Sequence, residues 1–235
     1  MSAGPMSTGP MSAVPKGGPL VVIPVLSAAK STPRLLTPIH GRSSLWRTLD
    51  SAVADLPDSA IVVTTDDAAI RRSVEAYGAP VTAHVRTATG YTAAVADVAQ
   101  ALGAEIVVIL EPTHPFRPRG LIRRTADNLV ARDHLDSVVC VRRFTANLWR
   151  RTPDGEILAL TDGRDGQDAE YFQEMVGLAL ATRARLIRRG RRLGDAVGFE
   201  VLEHTWALAD VRDDVSFAAA EALADTLIRM EEISE

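Results

Sequence analysis

"VVIPVLSAAKSTPRL", residues 21–35, opens the patterned part of this chain. A β-branched apolar run gives way to small residues, then Lys30, then Pro33-Arg34. A strand followed by a small-residue loop brings backbone N–H groups up to phosphate oxygens, with a helix N-terminus and a cation close by. "SAAKSTPR" lacks the glycines of a Walker loop or a dinucleotide fingerprint, so a plain solvated turn is the competing reading.

Three further apolar runs follow: "AIVVTT" (60–65), "EIVVILEP" (105–112) and "DSVVCVRR" (136–143). Like "LVVIPVL" (20–26), they are apolar on both faces, as strands covered on both sides are. Between them lie stretches with helical spacing. "SSLWRTLDSAVADL" places apolar residues at 45, 46, 49, 53 and 56, and "DDAAIRRSVEAYG" opens on acids and closes on Gly78. "TAAVADVAQALG" and "PRGLIRRTADNLVARD" continue the series. The alternation predicts an α/β domain with a mostly parallel sheet, whose ligands bind where strand ends and following loops line one edge. After 143 the pattern changes to a hairpin, with turn signals at Pro153-Asp154-Gly155 and Asp162-Gly163. A strand and short helix (176–194), a strand in "GFEVLEHTWALADV" and a C-terminal helix close the chain. The expected division is a disordered leader (1–18) and one domain (19–230) carrying a hairpin insertion around 144–170.

Composition narrows the function classes. The chain has 235 residues, 46% hydrophobic and 24% charged, enough for one sizeable core. A net charge of −4 gives no sign of a nucleic-acid or membrane-surface binder. The arginine run 183–192, "RARLIRRGRR", reads as a solvated helix face. No apolar run approaches the roughly 20 residues of a membrane span. The single cysteine, Cys140, sits in an apolar run and reads as a buried structural thiol. The Met/Ser/Gly/Pro-rich leader lacks the apolar centre of a signal peptide, which points to a cytoplasmic setting. Lysines and arginines number 26, yet the only lysine beyond the leader is Lys30. A compact ammonium on a flexible stem suits phosphate contact.

Five segments, in order, resemble the CMP-sugar-acid cytidylyltransferases, the CMP-sialic acid (acylneuraminate) synthetases and their relatives for other sugar acids. Ile23-Pro24, Lys30, Pro33 and Arg34 fall in register with that family's I-P-A-R-x-G-S-K-x-x-P-x-K-N. "VVTTDDAAIRRSVEAYGAPV" (62–81) is similar to V-S-T-D-D-x-x-I-A…Y-G-A-x-V, and "VVILEPTHPFR" (107–117) to V-V-x-L-Q-P-T-S-P-L-R. "DSVVCVRRF" and "ADVRDDVSFAAAEAL" resemble the family's D-S-V-x-S-V and D-I-D-T-E-E-D segments. The implied fold is a three-layer α/β/α nucleotidyltransferase, Rossmann-like and similar to the nucleotide-diphospho-sugar transferases.

The resemblance implies transfer of CMP from CTP to a sugar acid or other acidic metabolite, with release of pyrophosphate, Mg²⁺ as cofactor and a homodimer as the assembly. Neither nucleic acid nor membrane is an implied partner. It assigns Lys30 and Arg34 as catalytic cations. Nucleotide contacts fall on Val25, Leu26, Ser27, Lys30, Arg86, Glu111 and Thr113. Substrate contacts fall on Arg117, Arg164, Gln167 and Phe199, although Arg117 equally suits holding its loop and Phe199 a core position. Asp210 supplies one metal ligand, and Glu111, at a predicted strand's end, a second; a surface glutamate is the plainer alternative. Asp66 and Asp67 read as a helix cap and first-turn acid, His114 as a solvated loop residue, and Trp149 as an interface anchor.

Departures matter too. Leu26 stands where the family has arginine, and Ser27, Ala28 and Ala29 where it has glycine and serine. Leu35-Leu36, Gly90, Val176 and Leu208 replace a lysine-asparagine pair, an aspartate, an asparagine and an aspartate. A catalytically degenerate paralogue that binds a nucleotide or a partner is therefore the alternative function.

Overall fold

The first apolar run forms strand β1 (Leu20–Val25), buried at every position. Successive side chains in a strand point to opposite faces. Here Val21, Ile23 and Val25 join one apolar cluster, and Leu20 and Val22 another. Burial on both faces is the reason the run does not alternate with polar residues. The computed structural model describes residues 18–29, 31–145, 148–160 and 170–230. Lys30, Arg164, Gln167, the Asp162-Gly163 turn signal and the leader up to residue 17 lie outside them.

A short 3-10 turn (Thr32–Leu36) and a small hairpin, β2 (Pro38–Ile39) with β3 (Arg42–Ser43), lead into helix α1 (Ser44–Asp55). Alternation then proceeds through β4 (Ile61–Thr65), α2 (Ala68–Tyr77), β5 (Val81–Val85), α3 (Tyr91–Ala101), β6 (Ile106–Ile109), α4 (Leu121–Val130) and β7 (Ser137–Arg143). Local signals set the helix ends: Asp67 accepts from the N–H groups of Ala69 and Ile70 at 2.7 and 2.9 Å, and Gly78 stops α2 at φ +83°.

β5 carries no continuous apolar run. It is an edge strand, with Val81 buried but Thr82 and Val85 exposed, so it lacks the two-sided burial that marks the others.

Strands β8 (Trp149–Arg151) and β9 (Ile157–Ala159) form a separate hairpin. Its turn closes through Thr152 N–H to Glu156 O at 2.9 Å and Gly155 N–H to Thr152 O at 3.0 Å. The chain returns through β10 (Phe172–Glu174), β11 (Leu180–Arg183), helix α5 (Ala184–Ile187), edge strand β12 (Val197–Val201) and helix α6 (Asp214–Arg229).

Among the described residues the main sheet has eight strands. β12 flanks β7, whose other side is taken by β10 and β11, followed by β6, β1, β4 and β5. Only β10 and β11 run antiparallel to their neighbours. Leu45, Leu49, Ile70, Leu121 and Leu227 cover one face, and Val95, Val98 and Ile187 the other. The expected three-layer α/β/α architecture is what forms. Cys140 is buried, and burial pushes its thiol up to about 11. In the arginine run Arg185, Arg188, Arg189 and Arg191 are exposed, as a solvated face is, and three of the run's arginines also carry ion pairs: Arg185 with Asp136, Arg191 with Asp195 at 2.7 Å and Arg192 with Glu174 at 2.9 Å.

Candidate active site

β4 lies on one side of β1 and β6 on the other, so the connections leaving β1 and β6 diverge. A crevice opens at such a switch point, beyond the carboxyl ends of the strands. Two loops border it, residues 26–29 after β1 and residues 110–120 after β6.

Glu111 stands two residues past β6, its side chain 23% exposed. Its backbone N–H donates to Gly177 O at 2.9 Å, which fixes the residue at the strand end. One carboxylate oxygen lies 3.5 Å from the Tyr91 hydroxyl at the start of α3, the other 3.5 Å from the Arg212 guanidinium. Burial and the neighbouring Glu111 charge push the Tyr91 hydroxyl well above its ordinary value. The Arg212 guanidinium also lies 3.5 Å from Asp210, whose side chain is 25% exposed. Asp210 reaches this position because its segment is pinned to the β6 loop. Val211 N–H donates to Thr113 O at 2.9 Å, and His114 Nδ1 lies 3.3 Å from Ala209 O.

The loop after β1 is tied to the segment after β4. Ser27 donates its N–H and its hydroxyl to the two carboxylate oxygens of Asp66, both at 2.7 Å. Burial opposes the charge, but these two bonds hold the Asp66 carboxyl below its usual range. Asp66 is thus neither helix cap nor first-turn acid; it braces the loop, while Asp67 alone caps α2. Leu26 O accepts the Thr32 hydroxyl at 2.7 Å, and Val25 is buried at the strand's end. Arg34 sends Nε (2.9 Å) and Nη2 (2.5 Å) to Asp214 at the start of α6.

Five of the residues read from the sequence have other tasks or places. Arg117 is 4% exposed, and all five of its N–H donors are engaged. Nε donates to Leu178 O at 2.8 Å, Nη1 to the Thr48 hydroxyl at 2.9 Å and His114 O at 2.7 Å, and Nη2 to Glu111 O at 2.7 Å and Gly177 O at 3.1 Å. It clamps carbonyls around the crevice and has no donor left for a substrate. Arg86, 7% exposed, braces its own loop through Ala88 O at 2.8 Å and Thr89 O at 3.0 Å. Phe199 lies on edge strand β12, remote from the switch point, with its ring 5.2 Å from that of Phe172. His114 is 4% exposed and not solvated. Because a carbonyl only accepts, Nδ1 carries the proton toward Ala209, and Nε2 has no partner among the described residues. Burial, with Arg117 and Arg212 nearby, lowers its pKa to about 4, so the ring is neutral. Thr113 turns its Oγ1 inward, also unpartnered there, and serves through its carbonyl.

Tyr91 and Arg212 were not singled out by the sequence, and Asp66 was, but as a cap. Arg212 sits in "ADVRDD", flanked by acids, and its charge pattern looks like any solvated segment. Among the described residues no three acidic, histidine or cysteine side chains gather into a metal cage. Mg²⁺ asks for less, commonly one or two carboxylates completed by phosphate and water oxygens. Glu111 and Asp210 fit that donor set, being hard, partly exposed and already sharing one cation.

A match to the MobA-like NTP transferase domain covers residues 27–197. A 3-deoxy-manno-octulosonate cytidylyltransferase from Pseudoalteromonas atlantica is 32% identical over 113 residues, 46% of this chain and 44% of that relative. The alignment therefore spans less than half of the relative's length. Among solved structures, a CMP:2-keto-3-deoxy-manno-octonic acid synthetase complexed with CTP superposes with a TM-score of 0.70 at 15% identity, covering 89% of this chain and 99% of its own. The 4-diphosphocytidyl-2C-methyl-D-erythritol synthase of Anaerococcus prevotii gives 0.66 at 17% identity, covering 89% and 97%. At these identities the superpositions speak to the fold.

Proposed function

Since this chain belongs to the family of MobA-like NTP transferase domains, we propose that it is a cytidylyltransferase, transferring CMP from CTP to a sugar acid or other small acidic metabolite. The observation that carries this reading is the meeting of Glu111 and Asp210 at the switch-point crevice, where one guanidinium serves both. Similarity to a 3-deoxy-manno-octulosonate cytidylyltransferase supports the choice of nucleotide and acceptor class. In the reaction the acceptor hydroxyl attacks the α-phosphorus. A new P–O bond forms as the hydroxyl loses its proton to solvent, the bond from the α-phosphorus to the α–β bridging oxygen breaks, and pyrophosphate leaves with its electron pair. Catalysis of this kind is positioning plus charge neutralisation. Glu111 and Asp210 would hold Mg²⁺, which would supply charge neutralisation on the polyphosphate. Arg117 orients the loop bearing Glu111 through the carbonyls it clamps, and Arg34 and Lys30 are the cations proposed for the phosphates. No helix among the described residues is long and apolar enough to cross a membrane. A cytoplasmic homodimer remains part of the proposal.

A thermal-shift screen with CTP, UTP, GTP and ATP, each with and without Mg²⁺, tests the reading. CTP with Mg²⁺ is expected to stabilise the protein, by about 2.7 kcal/mol at 100 times its dissociation constant. Glu111→Gln is expected to remove the Mg²⁺-dependent part. Indifference to all four nucleotides would reject nucleotide transfer. The degenerate-paralogue reading draws on one observation: Ser27 gives both its donors to Asp66. It predicts nucleotide binding with no pyrophosphate released in the presence of any sugar acid.

A further inference from the structure

Arg212 offers more than a surface charge. Its guanidinium lies 3.5 Å from Glu111 and 3.5 Å from Asp210, and its side chain is 54% exposed. Among the described residues these contacts are longer than most arginine–carboxylate pairs, in the range of the loose surface pairs Arg143–Glu170 at 3.3 Å and Arg183–Asp133 at 3.7 Å. Arg34–Asp214 spans 2.5 Å, Arg42–Asp50 2.5 Å and Arg192–Glu174 2.9 Å. Arg42 grips Asp50 through two nitrogens, at 2.7 and 2.5 Å. Arg212 instead sends Nη2 to one acid and Nε to the other, the arrangement of a shared counter-ion.

The carboxylates are correspondingly underserved. Among the described residues Glu111 has the Tyr91 hydroxyl and Arg212, both at 3.5 Å, and Asp210 has the Arg212 backbone N–H at 3.3 Å and its guanidinium at 3.5 Å. Two like charges facing one point repel unless a cation stands between them. Strong, short hydrogen bonds would have tied them permanently. Long ones leave their oxygens open to a harder cation.

We propose that Arg212 is a positioning residue that acts as a stand-in cation: it holds Glu111 and Asp210 together and competes with a divalent metal for them. The proposal rests on the metal-site reading above. When a divalent cation takes the pair, the guanidinium is displaced. Its backbone carbonyl already accepts from Arg34 Nη1 at 3.3 Å, so the freed side chain stays tethered beside a residue proposed to meet the phosphates.

The test uses the full-length protein without nucleotide and follows Mn²⁺ binding by electron paramagnetic resonance and calorimetry. Arg212→Ala is expected to bind Mn²⁺ roughly three- to thirtyfold more tightly than the parent, as loss of two exposed ion pairs allows. Arg212→Lys, which keeps a cation, is expected to return toward the parent's affinity. Arg212→Gln repeats the measurement should the alanine variant fold poorly. Unchanged or weaker Mn²⁺ binding in both neutral variants would overturn the competition while Glu111→Gln still weakens binding in the parent. If Glu111→Gln and Asp210→Asn change nothing in any background, the metal site itself falls, and the proposal with it.

Discussion

Glu111 and Asp210 come from distant parts of the chain and arrive at one guanidinium, each 3.5 Å from Arg212. What joins them is backbone: Val211 N–H to Thr113 O at 2.9 Å stitches the C-terminal segment to the loop after β6. The crevice is therefore built by hydrogen bonds that also stabilise the fold, and substitutions there separate the two roles.

Arg117 is the first case. Replacing it with alanine removes a donor from the carbonyls of Glu111, His114 and Leu178 and from the Thr48 hydroxyl, and leaves Gly177 O only the Glu111 N–H. The expected loss is about 3–5 kcal/mol, read by urea denaturation. Arg117→Lys recovers little, because three donors on a point charge cannot serve five acceptors. Near-parental stability of the alanine variant would return Arg117 to the list of substrate contacts.

Gly177 has a positive φ of +94°, and a Cβ there would stand 2.6 Å from His114 Cδ2 and 3.1 Å from Glu111 Cβ. Gly177→Ala is expected to destabilise by about 1–3 kcal/mol and to weaken nucleotide binding by shifting Glu111. Gly103, at φ +65° with open space around it, is the control for backbone strain alone. Equal stability losses in the two alanine variants would exclude the clash.

His114 sets an acid limit. Its folded pKa of about 4 lies below the ordinary 6.5, so the unfolded chain takes up a proton first as pH falls. Stability is then fully present above pH 6.5, declines between pH 6.5 and 4, and levels off below. The span corresponds to up to about 3 kcal/mol. Denaturation at pH 7.5 and 5 checks it: His114→Gln should flatten this segment of the profile, and an unaltered profile refutes the assignment.

Trp149 is 64% exposed on the β8–β9 hairpin, and Ile157 and Leu160 are 53% and 54% exposed. Apolar side chains of this size left to solvent mark contact surfaces. If the homodimer forms through the hairpin, Trp149→Asp shifts the mass measured by light scattering from dimer to monomer. An unshifted mass places any dimer contact elsewhere.

Much of the architecture was legible from local pattern. Continuous apolar runs declared β1, β4, β6 and β7, and an acidic opening and Gly78 bounded α2, with the cap on Asp67 one residue past the position read for it. These signals are local because burial on both faces and capping each act over a few residues. Glu111 could be placed at a strand end for the same reason. β5 could not be seen, since an edge strand needs only one buried face.

The site is a different matter. Its elements owe their meaning to partners far along the chain: Asp66 to Ser27, Arg117 to Leu178, Arg212 to Glu111. An arginine in sequence looks the same whether it meets solvent, five carbonyls or two carboxylates. The amino-acid order by itself determined which segments are buried and therefore which strands and helices form. Only the packed structure decided which charges meet, because a hydrogen bond reaches about 3 Å and tertiary packing alone brings such atoms within it.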